Sequence, residues 1–259
     1  MSTQLEAERR SPFDLHGKTA VVTGAGRGLG QGVALGLAEA GADLVLLGRP
    51  GSQDSTRDMA RSLGRGVQTV DLDVADHDAV ARVSAEVTES RQVDILVNNA
   101  GIIEREDTVG LSPESWNRVI DTNLSGLFFL SQYFGRTMVG RGSGKIVSIA
   151  SLLAFQGGIR VVSYAASKHG VAGITKALAN EWGPSGVQVN AIAPGYMATD
   201  NTSALREDPD RSRAILERIP AGRWGTAADV AGAAVFLSSS AADYVNGHIL
   251  AVDGGWMAR

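Results

Sequence analysis

Two residues in the second half of the chain have the types and spacing for proton-transfer chemistry. Tyr164 and Lys168 stand four positions apart in a stretch that reads as helical, Tyr164–Gly183, so their side chains share a face. A phenol with its ordinary pKa near 10 is a poor base at neutral pH. A neighbouring ammonium favours the phenolate and brings it closer to the range where acid/base catalysis is efficient. His169, one step further round the helix, points elsewhere and reads as structural.

A second constellation lies near the start. Thr23–Gly30 reads TGAGRGLG, between an apolar run at Lys18–Thr23 and a helical stretch, QGVALGLAEAGA. Glycines there permit a tight turn and close backbone approach to a pyrophosphate, and the helix N-terminus supplies free N–H groups and partial positive charge. Gly24, Arg27, Gly28, Leu29 and Gly30 are therefore candidate dinucleotide contacts.

The elements that must position these groups follow from short apolar runs. Leu44–Leu47, Val67–Val74, Asp94–Val97, Lys145–Ile149, Val187–Ile192 and Ile249–Val252 read as strands after the first. Helical stretches alternate with them, including ADHDAVARVSAEV and a long region near Pro113–Met138. The pattern predicts α/β architecture: a single doubly wound, Rossmann-type domain with a central parallel sheet of about seven strands, ligands binding beyond the strands' carboxyl ends. Residues 1–14 read as a flexible lead-in and 15–259 as the dinucleotide-binding and catalytic domain. The polar stretch near 198–223 reads as a mobile substrate lid.

Composition narrows the function classes. Of 259 residues, 44 % are hydrophobic and only 5 % aromatic, which suits an aliphatic core. The formal net charge of −4 argues against a nucleic-acid binder. Cysteine is absent, and His16, His77, His169 and His248 lack metal-ligand spacing, so neither disulfide nor metal is expected. No apolar run is long enough to span a membrane and the N-terminus lacks a secretory pattern, so the expected location is the cytoplasm.

The glycine spacing is G-x3-G-x-G. Together with NNAG at Asn98–Gly101 and YxxxK at Tyr164–Lys168, it resembles the short-chain dehydrogenase/reductase family, from about Leu15 to the C-terminus. The resemblance implies hydride transfer to or from a nicotinamide cofactor, whose oxidised cation would further favour the Tyr164 phenolate. It implies that Ser151, 13 positions before Tyr164, holds the substrate oxygen, and that Asn123 (DTNLSG) holds a water in the proton relay. Lys168 would also bind the nicotinamide ribose. Asp73 and Val74 would meet the adenine, although Asp73 could equally cap the helix that follows. Asn98, Ala100 and Gly101 would line the ribose path; Pro194, Gly195, Met197 and Thr199 (APGYMAT) would flank the nicotinamide. The family is commonly tetrameric, and Leu124, Leu127, Phe128 and Phe129 suit either a subunit face or the core.

Cofactor choice depends on the end of the second strand, where a carboxylate would bind the ribose 2′-OH of NAD. Here Gly48 is followed by Arg49, and Arg27 lies in the glycine loop. Two guanidinium groups can grip a 2′-phosphate, so NADP is expected over NAD.

FQGGIRVVSYAASK, APGYMATDNT, RIPAGRWG and AVDGGWMAR also resemble a narrower group, the bacterial sugar-acid dehydrogenases of the 2-deoxygluconate, 2-keto-3-deoxygluconate and gluconate type. A sugar acid needs a cation for its carboxylate. Arg105 or Arg160 could supply it and Gln156 could bond a hydroxyl, with Asn201 and Trp256 as weaker candidates; each arginine is equally suited to a surface or subunit-interface salt bridge. The alternatives are a reductase of another carbonyl, such as a 3-oxoacyl thioester, and a non-catalytic dinucleotide sensor.

Overall fold

A computed structural model describes residues 11–259, the side chain of Asn201 excepted. Seven parallel strands, β1 Thr19–Thr23, β2 Asp43–Gly48, β3 Val67–Asp71, β4 Ile95–Asn98, β5 Gly144–Ile149, β6 Val187–Pro194 and β7 Ile249–Val252, form one sheet in the order β3-β2-β1-β4-β5-β6-β7. The doubly wound parallel architecture expected from the sequence is the one observed.

The sheet is buried on both faces, which explains why its strands read as continuous apolar runs. Alternate residues of β1 serve opposite cores. Ala20 and Val22 join Val33, Leu37, Val230 and Ala234, from α1 (Gly28–Glu39) and α9 (Ala227–Ser238). Val21 joins Val83, Val87, Leu130 and Phe134, from α3 (His77–Ser90) and α5 (Gly126–Arg141). The chain reverses its winding at β1, which pairs with β2 on one side and β4 on the other, opening a crevice beyond their carboxyl ends.

Several boundaries differ from the expected ones. The third strand ends at Asp71, because Asp73 turns the chain: its carboxylate accepts from the Ala75 N–H at 3.0 Å and its carbonyl from the Asp76 N–H at 3.1 Å. Asp76, not Asp73, caps α3, accepting from the Ala79 N–H at 3.0 Å. The region 113–138 is helical throughout, as expected, but a π-helical turn (Asp121–Ser125) is set into it between α4 (Pro113–Ile120) and α5. A polar helix, α2 (Asp54–Ser62), stands where no element is expected, since only Thr56 and Ala60 of its residues are buried. The stretch 198–223 is largely helical, with α7 (Ser203–Glu207) and α8 (Pro209–Leu216). The remaining long helix, α6, is Val162–Trp182.

The expected lead-in falls mostly outside the described residues. Its last part is packed: the Pro12 carbonyl accepts from the Ala241 N–H at 3.1 Å and the Phe13 ring lies 6.4 Å from that of Phe236. Among the described residues no helix is long and apolar enough to cross a membrane.

Candidate active site

The glycine loop is built around backbone that a side chain would obstruct. Gly24 adopts φ +63° and Gly28 φ +56°, conformations glycine takes at little cost. A Cβ on Gly26 would lie 2.1 Å from the Ser52 carbonyl oxygen, and one on Gly30 2.2 Å from that of Gly24. Arg27 caps α1 without a side-chain hydrogen bond, so the first-turn N–H groups face the crevice without that partner.

The loop is pinned from β4 by Asn99, which the sequence reading missed. Its Nδ2 donates to the Thr23 carbonyl at 3.0 Å and the Gly24 carbonyl at 3.1 Å. The Thr23 hydroxyl oxygen accepts from the N–H groups of Asn99 at 2.9 Å and Ala100 at 3.0 Å. Asn98 turns the opposite way, its Nδ2 donating to the Ser131 hydroxyl at 2.9 Å inside the core. Ala100 and Gly101 lie beside the crevice, with a Gly101 Cβ position 3.2 Å from the Asn123 Oδ1. Val74 is buried behind them, its carbonyl against Gly126.

Arg27 and Arg49 differ in environment. Arg49 is exposed at the end of β2, with no side-chain ion pair or hydrogen bond among the described residues. Arg27 reaches across the crevice to Asp200, Nη1 to Oδ2 3.1 Å, with both side chains about three-quarters exposed (75 % and 74 %). Thr199 sits over the loop, its Cγ2 3.8 Å from the Gly28 Cβ position. Pro194 and Met197 are buried, and Gly195 packs closely on Asp253.

On the other side of the crevice α6 presents Tyr164 and Lys168 together, with the Lys168 Nζ 5.5 Å from the Tyr164 ring centroid. Lys168 is buried and donates to the Ile149 carbonyl at 2.7 Å; burial pulls its pKa from 10.5 down to about 8. Burial pushes the Tyr164 phenol above its ordinary value, against a hydrogen bond with Ser151 and the Arg105 guanidinium, which both pull it down. Ser151 caps the short 3-10 turn Leu152–Ala154, accepting from the Leu153 N–H at 3.2 Å.

Asn123 lies in the π-helical turn and is fully buried. Its Oδ1 accepts from the Ile102 N–H at 2.8 Å, and its Nδ2 donates to the Ile102 carbonyl at 2.9 Å and the Ser167 hydroxyl at 3.2 Å. Ser167 in turn donates to the Tyr164 carbonyl at 2.7 Å, so the turn is tied to the start of α6. Wide turns of this kind inside a helix concentrate at functional sites. His169 is exposed, with Nδ1 3.0 Å from the Ala165 carbonyl, a local contact on its own helix.

The family model described as Enoyl-(Acyl carrier protein) reductase matches residues 24–257. The chain belongs to the short-chain dehydrogenase/reductase family. It is 56% identical over 247 residues to the 2-dehydro-3-deoxy-D-gluconate 5-dehydrogenase of Bacillus subtilis, covering 95% of this chain and 97% of that one. It superposes with TM-score 0.90 on an NADP-bound Agrobacterium tumefaciens protein provisionally assigned as a 2-deoxy-d-gluconate 3-dehydrogenase (56% identity, covering 96% of this chain and 100% of that one). Gluconate 5-dehydrogenase from Burkholderia cenocepacia, in complex with NADP and tartrate, superposes with TM-score 0.92 at 39% identity, covering 96% and 98%.

As a short-chain dehydrogenase/reductase the chain is an NAD(P)-dependent oxidoreductase, and its crevice fits such a cofactor. The close approaches at Gly26 and Gly30 keep the loop thin, the α1 N-terminus offers N–H donors to a pyrophosphate, and Arg49 is exposed just past the end of β2.

The two loops around Ser151 and Tyr164 carry the candidate substrate contacts. Arg105, on the segment after β4, acts electrostatically on the Tyr164 phenol. Arg160 instead pairs with Asp107, Nε to Oδ1 3.1 Å. Gln156 is half-buried after the Ser151 turn, its N–H donating to the Leu152 carbonyl at 3.1 Å. Trp256 is buried with Leu152, Ile215 and Ile219, and Arg218 lies 3.9 Å over its ring. This cluster joins the helical stretch after β6 to the Ser151 turn.

Proposed function

We propose that the protein transfers hydride between NADP(H) and a secondary alcohol or ketone of a sugar acid of the 2-deoxygluconate, 2-keto-3-deoxygluconate or gluconate type. The observation that carries the reading is the gathering of Ser151, Tyr164 and Lys168 on one wall of the crevice, with the Lys168 Nζ 5.5 Å from the Tyr164 ring centroid and held by the Ile149 carbonyl at 2.7 Å. Arg105, whose charge lowers the Tyr164 pKa, is the candidate cation for the carboxylate. The relatives' activities support it, as does the tartrate, a hydroxycarboxylate, in the Burkholderia structure.

When bound, the cofactor supplies or accepts the hydride. Ser151 donates to the substrate oxygen and holds it against Tyr164. In reduction Tyr164 gives its proton to the developing alkoxide; in oxidation it takes that proton. Lys168 keeps positive charge beside the phenol and binds the nicotinamide ribose, and Asn123 holds the π turn that seats the relay water. The stretch 198–223 closes over the substrate. The same reading extends to a homotetramer, on the family resemblance, and to a cytoplasmic location.

The direct test is a screen of hexonates and deoxy-ketohexonates with both cofactors, read by absorbance of the reduced nicotinamide. Arg105→Ala raises KM for the acid that turns over by about ten- to a hundredfold, as expected for a lost arginine–carboxylate pair, and leaves neutral polyols unaffected. Turnover of a 3-oxoacyl thioester in preference to every sugar acid would replace this reading with that of an acyl-thioester ketone reductase.

Arg49 supports NADP over NAD. Arg49→Ala raises KM for NADP by about tenfold, since a charge-assisted phosphate contact is lost, and leaves KM for NAD unchanged. Equal changes for both cofactors would place Arg49 away from the 2′-phosphate.

A further inference from the structure

We propose that Arg160 is a positioning residue: it clasps the loop carrying Arg105 to the loop that leads from Ser151 into α6, and so sets the preference for carboxylate-bearing substrates. The inference rests on the sugar-acid reading above.

Arg160 adopts φ +63°, the only positive φ at a non-glycine residue among the described residues. An arginine disfavours that conformation and holds it where surrounding contacts determine it. Two contacts do so here, both to the facing loop. The Glu106 N–H donates to the Arg160 carbonyl at 3.0 Å, and the Arg160 Nε lies 3.1 Å from the Asp107 carboxylate. Backbone and side chain of one residue thus grip two consecutive residues across the mouth of the site.

The loop so gripped is otherwise held from the other side. Asn123 takes both backbone groups of Ile102, Glu104 receives two guanidinium nitrogens of Arg118, and the Glu106 carboxylate accepts from the Ser115 hydroxyl at 3.1 Å. Arg105 lies between these anchors. Arg160 adds the fastening from the wall that bears Ser151 and Tyr164, and therefore fixes the distance between the carboxylate cation and the reacting carbon. Its side chain is about half exposed (55 %) and that of Asp107 more so (71 %). Such a pair adds little to global stability, so its effect falls on site geometry, where small displacements are costly.

The test uses Arg160→Gly, which accepts the backbone angle and loses the ion pair, and Asp107→Asn, which loses the ion pair and keeps the angle. Both variants raise KM for the sugar acid by about three- to tenfold. The KM for NADP, the turnover number and the melting temperature stay near wild type. Combined with Arg105→Ala, neither adds a further loss, because the two residues act as one unit. Wild-type KM for the acid in both single variants, or losses that multiply with that of Arg105→Ala, would overturn the clasp while leaving the sugar-acid reading standing. No effect of Arg105→Ala on the acid would overturn that reading and the clasp with it.

Discussion

Tyr164→Phe lowers turnover by about a thousandfold or more, the scale of a lost general acid/base, while NADP affinity stays within about twofold. The substitution removes one oxygen and keeps the ring that packs near the Lys168 ammonium. It leaves the glycine loop, pinned by Asn99 on the far side of the crevice, untouched. Cofactor titration by nicotinamide fluorescence separates the two effects. A Phe variant that turns over at more than about a tenth of the wild-type rate would remove Tyr164 from the chemistry.

Lys168→Met produces an opposed pair of effects: a loss of activity of about a hundredfold or more, and a protein that melts higher than wild type at pH 7. Burial pulls the Lys168 pKa from 10.5 to about 8. Between these values the unfolded chain holds a proton that the folded chain has released, so wild-type stability rises with pH across that window; below about 8 the burial penalty is constant. At about 1.4 kcal/mol per tenfold in proton affinity, the charged amine costs the fold about 3 kcal/mol at pH 7. Methionine removes that cost but strips the Ile149 carbonyl of its Nζ donor, a loss of about 1–2 kcal/mol. The net gain of about 1–2 kcal/mol corresponds to roughly 2–6 °C for a chain of this size. Calorimetry at pH 7 and above pH 10.5 tests the sign: the advantage is present at the first and gone at the second. A variant that melts lower at both would contradict the burial penalty.

The parts legible in the sequence are those whose cause is local. Strands buried on both faces leave unbroken runs such as TAVVT and KIVSI, and the glycine loop betrays itself because only glycine fits the turn and the close approaches at Gly26 and Gly30. Tyr164 and Lys168 were visible as a pair because a helix brings residues four apart together. Asn99 was harder. Consecutive strand residues face opposite sides, and nothing local tells which of Asn98 and Asn99 looks into the crevice. The pairs Arg27–Asp200 and Arg160–Asp107 join residues far apart in the chain, so neither partner could be read from the local sequence. The depth at which Lys168 is buried, and hence its proton affinity, likewise depends on packing from several elements at once.

The strand order carries a consequence for the birth of the protein. The first strand receives β2 once residue 48 is made, yet its other edge and its glycine turn wait for β4 and Asn99, which is made 75 residues after Gly24, the distance spanned by the Asn99 Nδ2 to Gly24 carbonyl hydrogen bond. At ribosomal speeds of about 5–20 residues per second the wait lasts roughly 4–15 s. Throughout that interval the growing chain displays an unpaired apolar edge, a template for pairing with neighbours. Slower translation would lengthen that exposure, and a holding chaperone would be most useful in that span.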